Sequence, residues 1–295
     1  MDVKYVEIRP KTVLNRLKGE DEIFHSRYTL NPYKGCEHGC QYCYARSEKY
    51  LPHSREEDFS QVIYVKVNAP LLLKKELPKL KKAIIDLGSA CDPYQQAEKK
   101  FGLTRKILEV IVKHNFPLNL LTKSDLVLRD IDLFKKLDYC CVSFTVTTLD
   151  EKLTGLLEPV APSPERRLNA MKKLNEEGIT TGVLFMPIIP FLEDSSKNLE
   201  SVISESKAHG ARYVIASLGM TLRDNQKLRF MNFLRENYPE LIPKYNELFG
   251  GRVSPGHAYM EKISKEINEL CDKYKISEFM PSYAPKEPQT KLYNP

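Results

Sequence analysis

Three cysteines crowd into eight residues: Cys36, Cys40 and Cys43, spaced C-x3-C-x2-C within NPYKGCEHGCQYCYAR. Thiols at this density predict a metal site, because an odd total of seven cysteines argues against a disulfide framework. Three thiolates on one loop suit a [4Fe–4S] cluster, since they hold three irons and leave the fourth open. A Cys3His zinc site completed by His38 is the alternative, although His38 lies inside the x3 gap, where closing a tetrahedron is awkward. Cys140 and Cys141 are adjacent on a predicted strand, and Cys271 lies on an apolar helical stripe; all three read as small packing residues. Cys91, in GSACDPYQ, follows a predicted strand on the face that carries the cysteine motif.

The elements that must position these residues alternate. Continuous apolar runs at 27–32, 83–88, 117–122, 139–148, 179–189 and 212–218 predict parallel strands covered on both faces. Helices are expected over 70–81, 102–115, 125–137, 163–177 and 195–209, with Gly178 and Gly210 as stops and Ser163-Pro164 as a start. Right-handed β-α steps then give a parallel α/β architecture, for which a partial (β/α)6 TIM-type barrel fits. The cysteine loop follows the first strand, at the strand end where such folds build sites. Residues 61–67 predict a short strand outside the main sheet. The expected division is an irregular arm over 1–26, a barrel over 27–220, a helical C-terminal extension over 221–280 and a Pro-rich tail over 281–295. Helices at 223–237, 239–249 and 257–275 make up the extension.

The pattern C-x3-C-x-aromatic-C, with Tyr42 as the aromatic, matches the signature of the radical S-adenosylmethionine enzymes. GSACDPYQQAE, LLTKSDLVLRD, SFTVTTLD, EPVAPSPERRL and MPIIPFLED resemble the spore photoproduct lyase-like branch, also called DNA-repair-photolyase-like. The resemblance implies the (β/α)6 fold and an open iron that binds the amino and carboxylate groups of S-adenosylmethionine. It implies cleavage to a 5′-deoxyadenosyl radical that abstracts hydrogen from a substrate, with a DNA photolesion as the branch's precedent. A reductant such as ferredoxin or flavodoxin is implied as well.

By the same resemblance Tyr42 belongs to the cofactor site, and Gly88 and Ser89 contact the methionyl amine. Lys123 pairs with a carboxylate or a substrate phosphate, Ser143 and Thr145 meet the carboxylate and ribose, and Met186 packs near adenine. Ser143 is the preferred residue of its strand, and Asp92 and Tyr94 are expected to face the mouth. Cys91 stands in an Ala-Cys context like that of the lyase cysteine that returns a hydrogen atom to the product radical. Other readings stay open: a peptide or small metabolite as substrate, or a non-catalytic Fe–S electron-transfer or zinc-stabilised binding protein.

Composition bounds these expectations. The 295 residues carry 45 basic and 39 acidic side chains, a formal charge of +6 that permits nucleic acid as a partner without requiring it. A mean hydropathy of −0.41 and no apolar run near 18 residues predict no membrane span. The opening MDVKYVEIRPKTVLNR lacks an apolar h-region, so the cytoplasm is the expected location.

Overall fold

The computed structural model describes residues 3–51 and 59–284, so most of the Pro-rich tail lies outside the described residues. The arm expected to be irregular contains two strands, β1 (Lys4–Ile8) and β2 (Leu14–Arg16). These are followed by β3 (Ser26–Leu30), β4 (Tyr33–Lys34) and β5 (Val62–Lys66). β5 pairs parallel to β1 and antiparallel to β4, forming a separate three-stranded sheet. The arm is ordered because its partner is a distant strand, information that no local pattern within 1–26 carries.

The remaining chain alternates as expected: α1 (Ala69–Glu76), β6 (Ile84–Leu87), α2 (Gln96–Phe101), α3 (Leu103–His114), β7 (Leu118–Thr122), α4 (Ile131–Phe134), β8 (Cys140–Thr145), α5 (Glu151–Leu157), α6 (Pro164–Glu176), β9 (Thr180–Phe185), α7 (Ser196–Ala208) and β10 (Tyr213–Ala216). Strands β3, β6, β7, β8, β9 and β10 lie side by side in chain order, all parallel, with β2 antiparallel on the β3 edge. This is an open (β/α)6 partial barrel. The helix expected over 125–137 is instead a 3-10 segment, Asp125–Asp130, running into the single turn of α4. Buried Asp130 is held there by Tyr94, Arg105 and Arg129, which fixes the tighter winding. α5 was hidden behind a strand-like run, yet it has a sound start: Asp150 accepts from the backbone N–H groups of Lys152 and Leu153.

One layer of the barrel interior is polar and joins all six strands. Ser26 (β3), Asp86 (β6), Asn119 (β7), Ser143 (β8) and Tyr213 (β10) are hydrogen-bonded in series, and Gly182 supplies β9. Gly182 is required because a Cβ there would lie 2.2 Å from Cε2 of Tyr213, whose ring crosses it.

Beyond the barrel come α8 (Asp224–Asn237), α9 (Ile242–Phe249) and α10 (His257–Tyr274). α10 buries Ile263, Ile267 and Cys271 in the main core. Phe230, Phe233 and Leu234 of α8, with Tyr245 and Phe249 of α9, form a second core that includes Cys40, Tyr42 and Leu157. The extension therefore packs directly on the cysteine loop. Past α10 the chain turns back along β10, where the Val214 N–H donates to the Ser277 carbonyl at 2.8 Å and covers the open edge.

Candidate active site

A cavity of about 530 Å³ opens at the carboxyl ends of the barrel strands. The cysteine loop leaves β3, passes through β4 and forms one wall. Cys36, Cys40 and Cys43 all line the cavity, as do Tyr42, Gly88, Ser89, Cys91, Lys123, Thr145 and Met186. Among the described residues, no three His, Cys, Asp or Glu side chains converge where a single ion could bind. A lone zinc ion with Zn–S distances of about 2.3 Å needs such convergence. Three thiols lining one cavity with open volume beside them suit a larger cluster with a small-molecule ligand.

Buried polar groups fix the loop. Arg46 donates to the carbonyl oxygens of Gly39 and Cys40, each at 3.0 Å, and its guanidinium lies 4.6 Å from the Phe59 ring centroid. The Glu37 carboxylate accepts from Tyr5 Oη of β1 at 2.7 Å and from the Ala97 N–H at 2.6 Å. From the extension, Gln226 Nε2 donates to the Tyr42 carbonyl at 2.9 Å and Arg229 Nε to Gln41 Oε1 at 2.7 Å. Burial pushes the thiols of Cys36 and Cys43 upward, and that of Cys40 up to about 12.

Behind Tyr42 lies an ionic network. The Tyr42 hydroxyl donates to Glu158, which also pairs with Arg167 and, at 3.8 Å, with Lys123. Glu158 and Arg167 are 3% and 1% exposed, so neither charge is screened by water. Burial alone would raise the Glu158 pKa, but Arg167 and Lys123 bring it below the usual carboxylate range. Lys123 is likewise pulled down by burial, yet Cys40 and Glu158 together hold it above its ordinary value.

The loop after β6 makes the opposite wall. Gly88 has φ +104°, and a Cβ there would lie 2.6 Å from the Leu121 carbonyl oxygen and 2.7 Å from Pro93 Cδ. Asn31 Oδ1 accepts from the N–H groups of Ala90 at 2.8 Å and Cys91 at 3.3 Å, while its Nδ2 donates to Ser89 Oγ at 3.2 Å. The Cys91 thiol donates to the Tyr33 carbonyl oxygen at 3.2 Å. Asp92 ties this loop to β7, accepting from Thr122 Oγ1 at 2.9 Å and the Lys123 N–H at 2.7 Å. His38 Nε2 sits 3.1 Å from Asp92 Oδ2, and among the described residues neither ring nitrogen finds a hydrogen-bond partner.

Two expected positions fall elsewhere. Ser143 is fully buried in the polar layer, its hydroxyl used by Asn119 and Tyr213, whereas Thr145 two residues later reaches the cavity. Tyr94 points away from the mouth, donating to Asp130 at 2.9 Å. A smaller cavity of about 370 Å³ lies at the other end of β8 and β9, lined by Cys140 and Cys141, away from the motif. Arg46, Glu158, Arg167, Asn31 and Gln226 escaped the sequence reading. The first four stand inside quoted blocks, but a polar side chain gives no sign of burial until its partner is known.

Comparison with known proteins gives this geometry a family. Residues 30–200 match the model of the Radical SAM superfamily. An uncharacterized protein of Mycobacterium tuberculosis is 30% identical over 296 residues, covering 98% of this chain and 85% of the relative. Another, from Methanocaldococcus jannaschii, is 37% identical over 239 residues, 81% of this chain and 85% of its own. Among solved structures, a spore photoproduct lyase variant with bound AdoMet and dinucleoside spore photoproduct superposes with a TM-score of 0.69 at 16% identity, covering 91% of this chain and 78% of its own. That likeness shows a shared fold. Among the described residues, no helix is long and apolar enough to cross a membrane. The chain belongs to the radical S-adenosylmethionine superfamily, whose cofactors are a [4Fe–4S] cluster and S-adenosylmethionine.

Proposed function

We propose that this enzyme is a photoproduct-lyase-like radical enzyme acting on a DNA photolesion in the cytoplasm, supplied with electrons by a reductant of the ferredoxin or flavodoxin type. The observation that carries the reading is the Cys91 thiol, on the wall of the same cavity that Cys36, Cys40 and Cys43 line. Those three cysteines would hold the cluster, and Tyr42, Gly88, Ser89, Lys123, Thr145 and Met186 would surround S-adenosylmethionine. Together the two cofactors supply a 5′-deoxyadenosyl radical that can take hydrogen from an unactivated C–H bond.

The chain's own residues orient and enclose. Lys123 presents a cation to the cofactor carboxylate, while Glu158 behind it offsets the buried charge. Gly88 lets backbone approach where any side chain would collide. Apolar walls at Leu121, Leu184 and Met186 help keep bulk solvent from the reacting groups. Burial pushes the Cys91 thiol up to about 12, so it stays S–H at neutral pH. That form can give a hydrogen atom to a product radical: the S–H bond breaks, a C–H bond forms, and the sulfur keeps the unpaired electron.

The test is anaerobic reconstitution with S-adenosylmethionine and dithionite, with mass spectrometry of UV-irradiated DNA. Repair by the wild type is expected. Cys91→Ala should still form 5′-deoxyadenosine but yield adducts with dithionite-derived species instead of clean product. Identical products from the variant would remove Cys91 from the reaction. Production of 5′-deoxyadenosine with irradiated DNA left unaltered would move the substrate to a peptide or small metabolite.

A further inference from the structure

Asp86 is a carboxyl group for which the cysteine site provides no use. It stands on β6 two residues before Gly88, is 3% exposed, and lines the base of the cavity. Its Oδ2 accepts from Ser26 Oγ at 2.6 Å and its Oδ1 from Asn119 Nδ2 at 2.8 Å. Asn119 Oδ1 in turn accepts from Ser143 Oγ at 3.2 Å, and Ser143 Oγ is 2.7 Å from Tyr213 Oη. With Tyr213 donating, every hydrogen in this series points toward Asp86. The series spans the barrel and ends at one carboxyl facing the cavity.

A carboxylate has about four lone-pair sites, and two are used here. What remains is an acceptor at the base of a cavity whose nearby walls include Phe24, Leu121 and Leu184. Apolar walls around one fixed acceptor suit a flat, largely apolar ring that carries an N–H donor. We propose that Asp86 is the substrate-recognising group of this cavity and accepts a hydrogen bond from an imide N–H of a pyrimidine base. The proposal rests on the DNA-photolesion reading and names the atom by which such a lesion is held.

The surroundings give the interaction a pH signature. Burial pushes the Asp86 carboxyl up to about 7, against the pull of the Ser26 and Asn119 hydrogen bonds. The other titratable groups that face it are Asp21, Tyr44 and Tyr139. Asp21 acts on Asp86 in the same direction as burial. Both tyrosines are held above their ordinary values, mainly by burial, and stay neutral. Only ionised Asp86 accepts from the imide through either oxygen, so affinity should rise as pH climbs through about 7.

The experiment is equilibrium binding of a dinucleoside thymine photoproduct to the reconstituted full chain with S-adenosylmethionine and no reductant. The comparison probe is the same dinucleoside methylated at both imide nitrogens. Methylation should weaken binding about ten-fold or more, the loss of one hydrogen bond to a charged group. Asp86→Asn, which keeps shape and removes charge, should lose about ten-fold and flatten the pH profile. Equal affinity for the two probes, or an unchanged pH profile in Asp86→Asn, overturns the assignment. The methylation comparison and the wild-type pH profile need no variant, so a poorly folded Asp86→Asn does not block the test. If the wild type binds neither probe, the imide assignment falls, and conversion of irradiated DNA decides separately whether the DNA reading falls with it.

Discussion

Glu158→Gln isolates the ionic network behind the cysteine loop. The replacement keeps the size of the side chain and removes the charge facing Arg167, which is 1% exposed. Removing one partner of a buried pair costs about 3–5 kcal/mol, because the charge left behind has no water to turn to. Lys123, at 3.8 Å from Glu158, loses its nearest carboxylate as well, which argues against the lower end of that range. At about 2 °C per kcal/mol for a chain of this size, the melting temperature should fall by roughly 6–10 °C. The assay is denaturant unfolding at pH 7 on the apo protein, alongside a thermal scan. Because the folded Glu158 pKa is depressed, its stabilisation is present above the unfolded value of about 4.3 and is lost as pH falls below it. The difference between wild type and Glu158→Gln should therefore shrink in acid. Glu158→Leu combined with Arg167→Met should recover only part of the loss, since it removes the unpaired Arg167 charge while Lys123 and the Tyr42 hydroxyl still lack Glu158. A single-variant loss below about 1 kcal/mol, or a double variant worse than the single, would refute a buried pair.

Three further outcomes follow. Alanine at any one of Cys36, Cys40 or Cys43 should abolish S-adenosylmethionine cleavage and the cluster's visible absorbance while leaving the circular dichroism of the barrel unchanged; cleavage by any of the three would remove that residue as a ligand. Ser143→Ala should cost about 1–3 kcal/mol in unfolding free energy, through the unpaired Asn119 and Tyr213 groups, and leave S-adenosylmethionine affinity unchanged, as titration calorimetry would show. Gly88→Ala forces a Cβ against the Leu121 carbonyl and Pro93, so S-adenosylmethionine binding should weaken and the melting temperature drop; wild-type values for both would mean the loop yields freely.

What could be read in advance was whatever repeats locally. Each barrel strand is a run of apolar residues with a helix behind it, so the order and spacing of β3 and β6 to β10 were visible. The cysteine spacing likewise named its chemistry, because metal chemistry constrains neighbours in sequence. Hidden were the features that depend on remote partners. β1 is a strand because β5 pairs with it some 60 residues later, and Arg46 is buried because two loop carbonyls and Phe59 surround it. Ser143 shows the limit inside a correctly read strand. Alternation identified it as inward-facing, but depth along the barrel decides between cavity and core, and that depends on the shear between β7 and β8, where Leu121 pairs with Ser143.

The contact between Gln226 and the Tyr42 carbonyl joins residues 184 positions apart. A ribosome working at about 5–20 residues per second makes the second partner about 10–40 s after the first. Throughout that interval the three thiols lack the α8 helix that later covers their loop. The nascent chain thus carries the three thiols without this cover for many seconds. The cysteine loop and the helix that supports it are made at different times, and the order of their assembly belongs to the biosynthesis of the enzyme as much as to its fold.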